Sequence, residues 1–175
     1  MTNPWPVRSL DIQRFADAAV HLQLSTSVAE LPRVLSVCDA QALKSAVPAC
    51  DWALSGQLRG SDTRRQVWLR LQASVSLPQT CQRCLEPIQT ELVVDRWFRF
   101  VADEATALAE DDGCEEDLLV LSSELDTLSL LEDELLMALP LIISHGHCQT
   151  PASSALKDDL PHPFAALAGL KAPRQ

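Results

Sequence analysis

"QVWLRLQASVSLPQTCQRCLEPIQTELVVDRWFRF" (66–100) decides the fold. Over 66–77, Val67, Leu69, Leu71, Ala73, Val75 and Leu77 alternate with Gln66, Arg70, Gln72, Ser74 and Ser76. Over 88–100, Ile88, Leu92, Val94, Phe98 and Phe100 alternate with Gln89, Glu91, Asp95 and Arg99. Period-two patterning of this length marks antiparallel strands with one face on a core. Pro78 and Pro87 bracket the connection and are expected to stop each strand there. Pairing Leu77 with Ile88 places Trp68 opposite Trp97, Arg70 opposite Asp95 and Gln66 opposite Arg99.

The same alternation appears upstream in 50–58, through Cys50, Trp52, Leu54 and Leu58. "GSDTRR" (60–65) has the residues of a hairpin loop joining this strand to the next. Earlier still, 10–18 reads as a short amphipathic helix and 20–24 as a short strand. Ser25 or Ser27 can cap a brief helix that Pro32 limits unless it sits in the first turn. Downstream, the acidic run 103–117 carries no apolar period and reads as an exposed, irregular loop. Residues 118–122 suggest a short strand. "DTLSLLEDELLMALP" (126–140) is a helix capped by Asp126 or Ser129, with a stripe of Leu128, Leu131, Leu135 and Leu139, ended by Pro140. Glu132, Asp133 and Glu134 are expected on its solvent side. The fold class is α+β: an antiparallel β meander, open or partly closed into a barrel, with a C-terminal helix packed on it. Residues 1–148 make a single domain; 149–175 read as a linker and a short docking tail, "FAALAGLK" (164–171).

The chain has 175 residues, 47% of them hydrophobic, which is enough for one globular domain with a real core. It holds no apolar run long enough to cross a membrane as a helix. The N-terminus "MTNPWPVRSLD" lacks the basic-then-apolar pattern of a secretory signal, so a cytoplasmic location is expected. The six cysteines are then expected to be reduced. The net charge of −10 hides an asymmetry. Residues 1–100 carry 11 Lys/Arg and 9 Asp/Glu, and residues 101–175 carry 3 and 15. The acidic half suits either a basic protein partner or plain solvation.

Chemistry-bearing motifs are few. With five glycines, the chain has no phosphate-binding Gly-rich loop, and it lacks H-E-x-x-H, G-x-S-x-G and an EF-hand pattern. No small-molecule substrate is implied, and the protein reads as non-enzymatic. The C-x-x-C pair Cys81 and Cys84 stands out. A redox centre wants that pair at a helix N-terminus in a βαβ unit, whereas these flanks are antiparallel strands. Two thiols in a tight turn can point at one ion, forming half of a tetrahedral zinc site. The other half must come from "SHGHC": Cys148 with His145 or His147, at most two ligands from so short a segment. A plain turn with two idle thiols remains the alternative. Cys50 reads as core; Cys38 and Cys114 read as incidental.

Trp68, Arg70, Trp97 and Arg99 occupy polar-face positions of the two long strands, with Arg64, Arg65 and Arg83 in the adjoining loops. Exposed, they would form a stacking platform for single-stranded RNA. Covered by a helix or by the N-terminal segment, the indoles would be ordinary second-core residues, the plainer expectation for tryptophan.

"CQRCLEP", "LLEDELLMALPLIISHGHC" and "HPFAALAGLK", in this order, resemble the bacterial YceD proteins, the large ribosomal RNA subunit accumulation proteins. The resemblance is strong from residue 66 onward and weak before residue 48. It implies a non-enzymatic cytoplasmic factor for 23S rRNA accumulation and processing, and so for large-subunit biogenesis. The implied partners are precursor 23S rRNA or a large-subunit ribosomal protein. The family's cysteine pair corresponds to Cys81 and Cys84. Some relatives add C-terminal cysteines that would complete a metal site, where this chain has only Cys148.

Overall fold

A computed structural model describes residues 4–61 and 65–148. Five strands form one open sheet in the order β1-β2-β3-β4-β5: His21–Ser27, Ala49–Arg59, Gln66–Thr80, Pro87–Val101 and Asp117–Val120. The first four are antiparallel; β5 runs parallel to β4. The sheet does not close into a barrel. Among the described residues, five short α-helices accompany it, besides two single 3-10 turns: α1 (Ile12–Asp17), α2 (Pro32–Leu35), α3 (Ala40–Leu43), α4 (Glu104–Glu110) and α5 (Thr127–Met137).

The alternation read in the sequence sets the layers. Leu54, Leu69, Leu71, Leu77, Leu92, Val94 and Phe98 form one buried face, joined by Ile12, Phe15, Leu128, Leu131 and Leu135 from α1 and α5. A C-terminal helix therefore packs on the sheet, as expected, and the opposite face carries none of this core. Asp11 caps α1 by accepting from the Arg14 N–H, and Asp126 caps α5 by accepting from Leu128 and Ser129 N–H groups. The two leads are clipped together: Leu10 and Leu125 exchange backbone hydrogen bonds of 2.8 and 2.9 Å, and the Thr127 N–H donates to the Val7 carbonyl at 2.8 Å.

The structure corrects four details. First, β3 runs through Pro78 to Thr80. Its pairing with β2 extends only to Ser74, so Pro78 lies where β3 is paired on one side and a missing N–H costs little. Second, Leu77 consequently pairs with Thr90, two residues from the expected register, which puts Trp68 opposite Arg99 and Arg70 opposite Trp97. A two-residue slip preserves the faces, so the core assignment survives. Third, the acidic run is not irregular. Asp103 accepts from the Thr106 N–H at 2.7 Å and caps α4, and Asp117 opens β5.

Fourth, Glu132 and Glu134 are buried, each 7% exposed. α2 begins with no side-chain cap of its own. Glu132 of α5 supplies one, accepting from the Arg33 and Val34 N–H groups at 2.7 and 3.4 Å and from Arg33 Nε at 3.3 Å. Arg33 is also held by Asp133 and by the Ser129 carbonyl. Glu132→Ala strands two backbone donors, while Arg33 keeps Asp133 and the Ser129 carbonyl, and it should cost about 1–3 kcal/mol in chemical denaturation. A loss below ~0.5 kcal/mol would show that this cap is idle.

Candidate functional site

The hairpin tip is built from residues 81–86, between the last β3–β4 pair, Thr80 and Pro87. The Cys81 N–H donates to the Glu86 carbonyl at 2.9 Å, and the Leu85 N–H returns to the Cys81 carbonyl at 2.9 Å. Leu85 turns the chain with φ 64°. This tight knuckle leaves both sulfurs on its inner side. After α5, the chain doubles back to the tip, where the Gln82 N–H donates to the Ile143 carbonyl at 2.8 Å.

That clasp brings Cys81, Cys84, His145 and Cys148 together, with one ligand atom from each lying within 4.8 Å of all the others. Cys81 Sγ is 3.8 Å from Cys148 Sγ, and Cys84 Sγ is 3.3 Å from His145 Nδ1. Metal–sulfur bonds of ~2.3 Å in a tetrahedron separate two sulfurs by about 3.8 Å. Burial pushes the Cys81 thiol up, but the Cys84, His145 and Arg83 N–H groups and the Cys84 thiol outweigh it and bring it down to about 5. These donors favour the Cys81 thiolate, the form a metal binds. Burial and the neighbouring Cys81 and Cys84 push Cys148 up to about 11. Three sulfurs this close repel as thiolates, and a cation between them removes the conflict. The group is positioned to hold a metal. His147 is exposed and stands outside it. Cys50 is buried in the core, and Cys38 and Cys114 also lie outside the group.

The second group of candidates lies on the opposite face, at the other end of the hairpin. Trp68 and Trp97 are half-buried, and their rings meet edge to face with centroids 6.3 Å apart. The Arg59 guanidinium lies over both rings, 4.2 Å from the Trp68 centroid and 4.0 Å from that of Trp97. Trp68 Nε1 is buried without a hydrogen-bond partner. Arg70 grips Asp95 through two bonds of 2.8 and 2.7 Å, holding that carboxyl below its usual range. Arg99 is buried at 7% exposure, with Nε 2.7 Å from Glu116 and Nη1 2.6 Å from Glu110. The acidic segment thus docks on this arginine.

Arg65 is exposed at the start of β3, and Arg64 lies outside the described residues. Arg83 sits at the hairpin tip, about 12 strand residues or roughly 40 Å from Trp68, so it belongs with the metal group. Arg59 was missed as a candidate. Extending the β2 alternation by one residue places it on the Trp68 face.

A family model described as "Large ribosomal RNA subunit accumulation protein YceD" matches residues 69–171. A Haemophilus influenzae protein, named "Large ribosomal RNA subunit accumulation protein YceD", is 33% identical over 122 residues, covering 63% of this chain and 68% of the relative. No solved structure matches. The match takes in β3 from Leu69, all of β4, the thiol knuckle, α5 and "SHGHC", and the chain belongs to the YceD family.

Proposed function

We propose that the protein is a non-enzymatic cytoplasmic factor supporting 23S rRNA accumulation and large-subunit biogenesis through contact with precursor rRNA or a large-subunit protein. The observation that carries this reading is the family match over 69–171. The one-sided packing of the sheet is consistent with it. The helices that build the core gather on one face, and the other face is left with paired indoles and arginines. Among the described residues, no helix is long and apolar enough to cross a membrane.

The Cys81, Cys84, His145 and Cys148 group is, in this reading, a structural zinc site. Three thiolates and one imidazole are a soft, tetrahedral donor set with no position left for a substrate. Its work is to tie the segment after α5 to the hairpin tip.

Crosslinking in cells, followed by identification of both RNA and protein, tests the functional reading. Precursor 23S rRNA or large-subunit proteins should be recovered above background, and recovery of neither overturns it. Direct RNA contact has its own signature. Affinity for 23S fragments should fall steeply from low to moderate salt, because phosphate contacts release counterions.

A further inference from the structure

Where β5 begins, the polar face of the sheet holds a cleft of about 340 Å³ lined by Arg59, Trp68, Asp95, Arg96, Trp97, Glu115, Glu116 and Asp117. Its floor is the indole pair. Four carboxylates line the cleft, and four guanidiniums stand in or beside it: Arg59 and Arg96 in the lining, and Arg70 and Arg99 paired to lining acids. Three of those carboxylates already have partners: Asp95 with Arg70, Asp117 with Arg96, and Glu116 with Arg99. Glu115 is exposed and has no ion pair among the described residues.

Two aromatic faces, with the unpaired Glu115 carboxylate at their edge, form a site for a cation. Indole is the strongest of the aromatic partners for a guanidinium, and the planar guanidinium stacks where an ammonium cannot. The cleft already shows what it accepts. Arg59 lies about 4 Å from both ring centroids. Arg59 is the last residue of β2, followed by Gly60 at φ 105°, so displacing its side chain breaks no interior strand pairing. Nucleic acid fits less well. Of the arginines beside the cleft, Arg70, Arg96 and Arg99 are bound to carboxylates, so none is free to take a phosphate, and Glu115 would repel one.

We propose that the Trp68–Trp97 cleft is a cage for an arginine side chain of a basic protein segment, occupied in cis by Arg59 until that segment displaces it. This rests on the functional reading above and narrows its partner to a basic protein rather than RNA.

The sign of one substitution decides the matter. A labelled hexa-arginine peptide is titrated into the full chain by fluorescence anisotropy. Arg59→Ala removes the competitor and a like charge, and should tighten binding about fivefold. Trp97→Ala should weaken it at least about tenfold. Glu115→Lys, an exposed rim change that leaves the core untouched, should weaken it about threefold. A hexa-lysine peptide should bind several-fold more weakly than hexa-arginine. Peptide binding that is absent, weakened by Arg59→Ala, or indifferent to Trp97→Ala overturns the cage, the last outcome indicating attraction to net charge alone. A single-stranded RNA oligonucleotide that outcompetes the peptide and loses affinity in Arg59→Ala overturns it in favour of a base-stacking platform. Should the cage fail while crosslinking still recovers large-subunit components, only the partner class is wrong.

Discussion

Purified without chelator, the protein should carry about one equivalent of zinc, and Cys84→Ser should carry almost none. Cys81→Ser, Cys148→Ser and His145→Ala should behave alike, since each removes one corner of the group. Cys38→Ser, Cys114→Ser and His147→Ala should keep the full metal content, because these residues lie outside it. The stability effect should be large yet local. A ligand a thousandfold above its dissociation constant stabilises the native state by ~4 kcal/mol. The sheet core is built without these residues, so chelation should leave the strands folded. It should release the segment after α5, seen as lost hydrogen-exchange protection at Gln82, whose N–H is bound by Ile143. Zinc below half an equivalent, or equal metal in Cys38→Ser and Cys84→Ser, would refute the site.

Gly56→Ala should be among the most damaging single substitutions in the chain. Gly56 faces the core on β2, opposite Leu69, directly beneath α1. A Cβ there would come 2.6 Å from Phe15 Cδ1 and 3.0 Å from both Ala16 Cα and the Phe15 carbonyl carbon. Phe15 is fully buried, with Trp5 set edge-on against it at 5.4 Å, so its ring has no room to turn. The backbone atoms behind it force α1 itself to lift. Overpacking of this kind costs about 3 kcal/mol, a drop in Tm of about 6–12 °C for a chain of this size. Phe15→Ala in the Gly56→Ala background should cost less than the sum of the two single changes, because the variants share one contact. A Gly56→Ala protein within ~0.5 kcal/mol of the parent would show that α1 adapts freely.

The strands and their buried face were legible because side-chain alternation is local. Register was not. It depends on where the hairpin turns, and the thiol knuckle lets β3 run through Pro78 to Thr80. α4 was masked by charge: its helix-forming alanines sit among acids that look solvated until Arg99 gathers Glu110 and Glu116. The burial of Glu132 was equally hidden, since its partner Arg33 lies 99 residues away. At the metal group, the residue types and the return of "SHGHC" could be read directly. That His145 rather than His147 joins the group depends on how the chain returns to the tip, where the Gln82 N–H meets the Ile143 carbonyl, a backbone contact with no side-chain signature. Arg59 was overlooked for a different reason. A charged residue ending a strand looks like ordinary punctuation until two indoles are found beneath it.

The clip between Leu10 and Leu125 has a consequence for how the chain is made. Synthesis releases the N-terminal lead first, and β1 to β4 can close by neighbouring hairpins as they emerge. The lead of α1, by contrast, has its backbone partner roughly 115 residues later, a wait on the order of 10 s at ordinary translation rates. For that interval the newborn sheet carries its apolar side without the finished cover of α1 and α5. The apolar face of the sheet is thus the part of the molecule completed last.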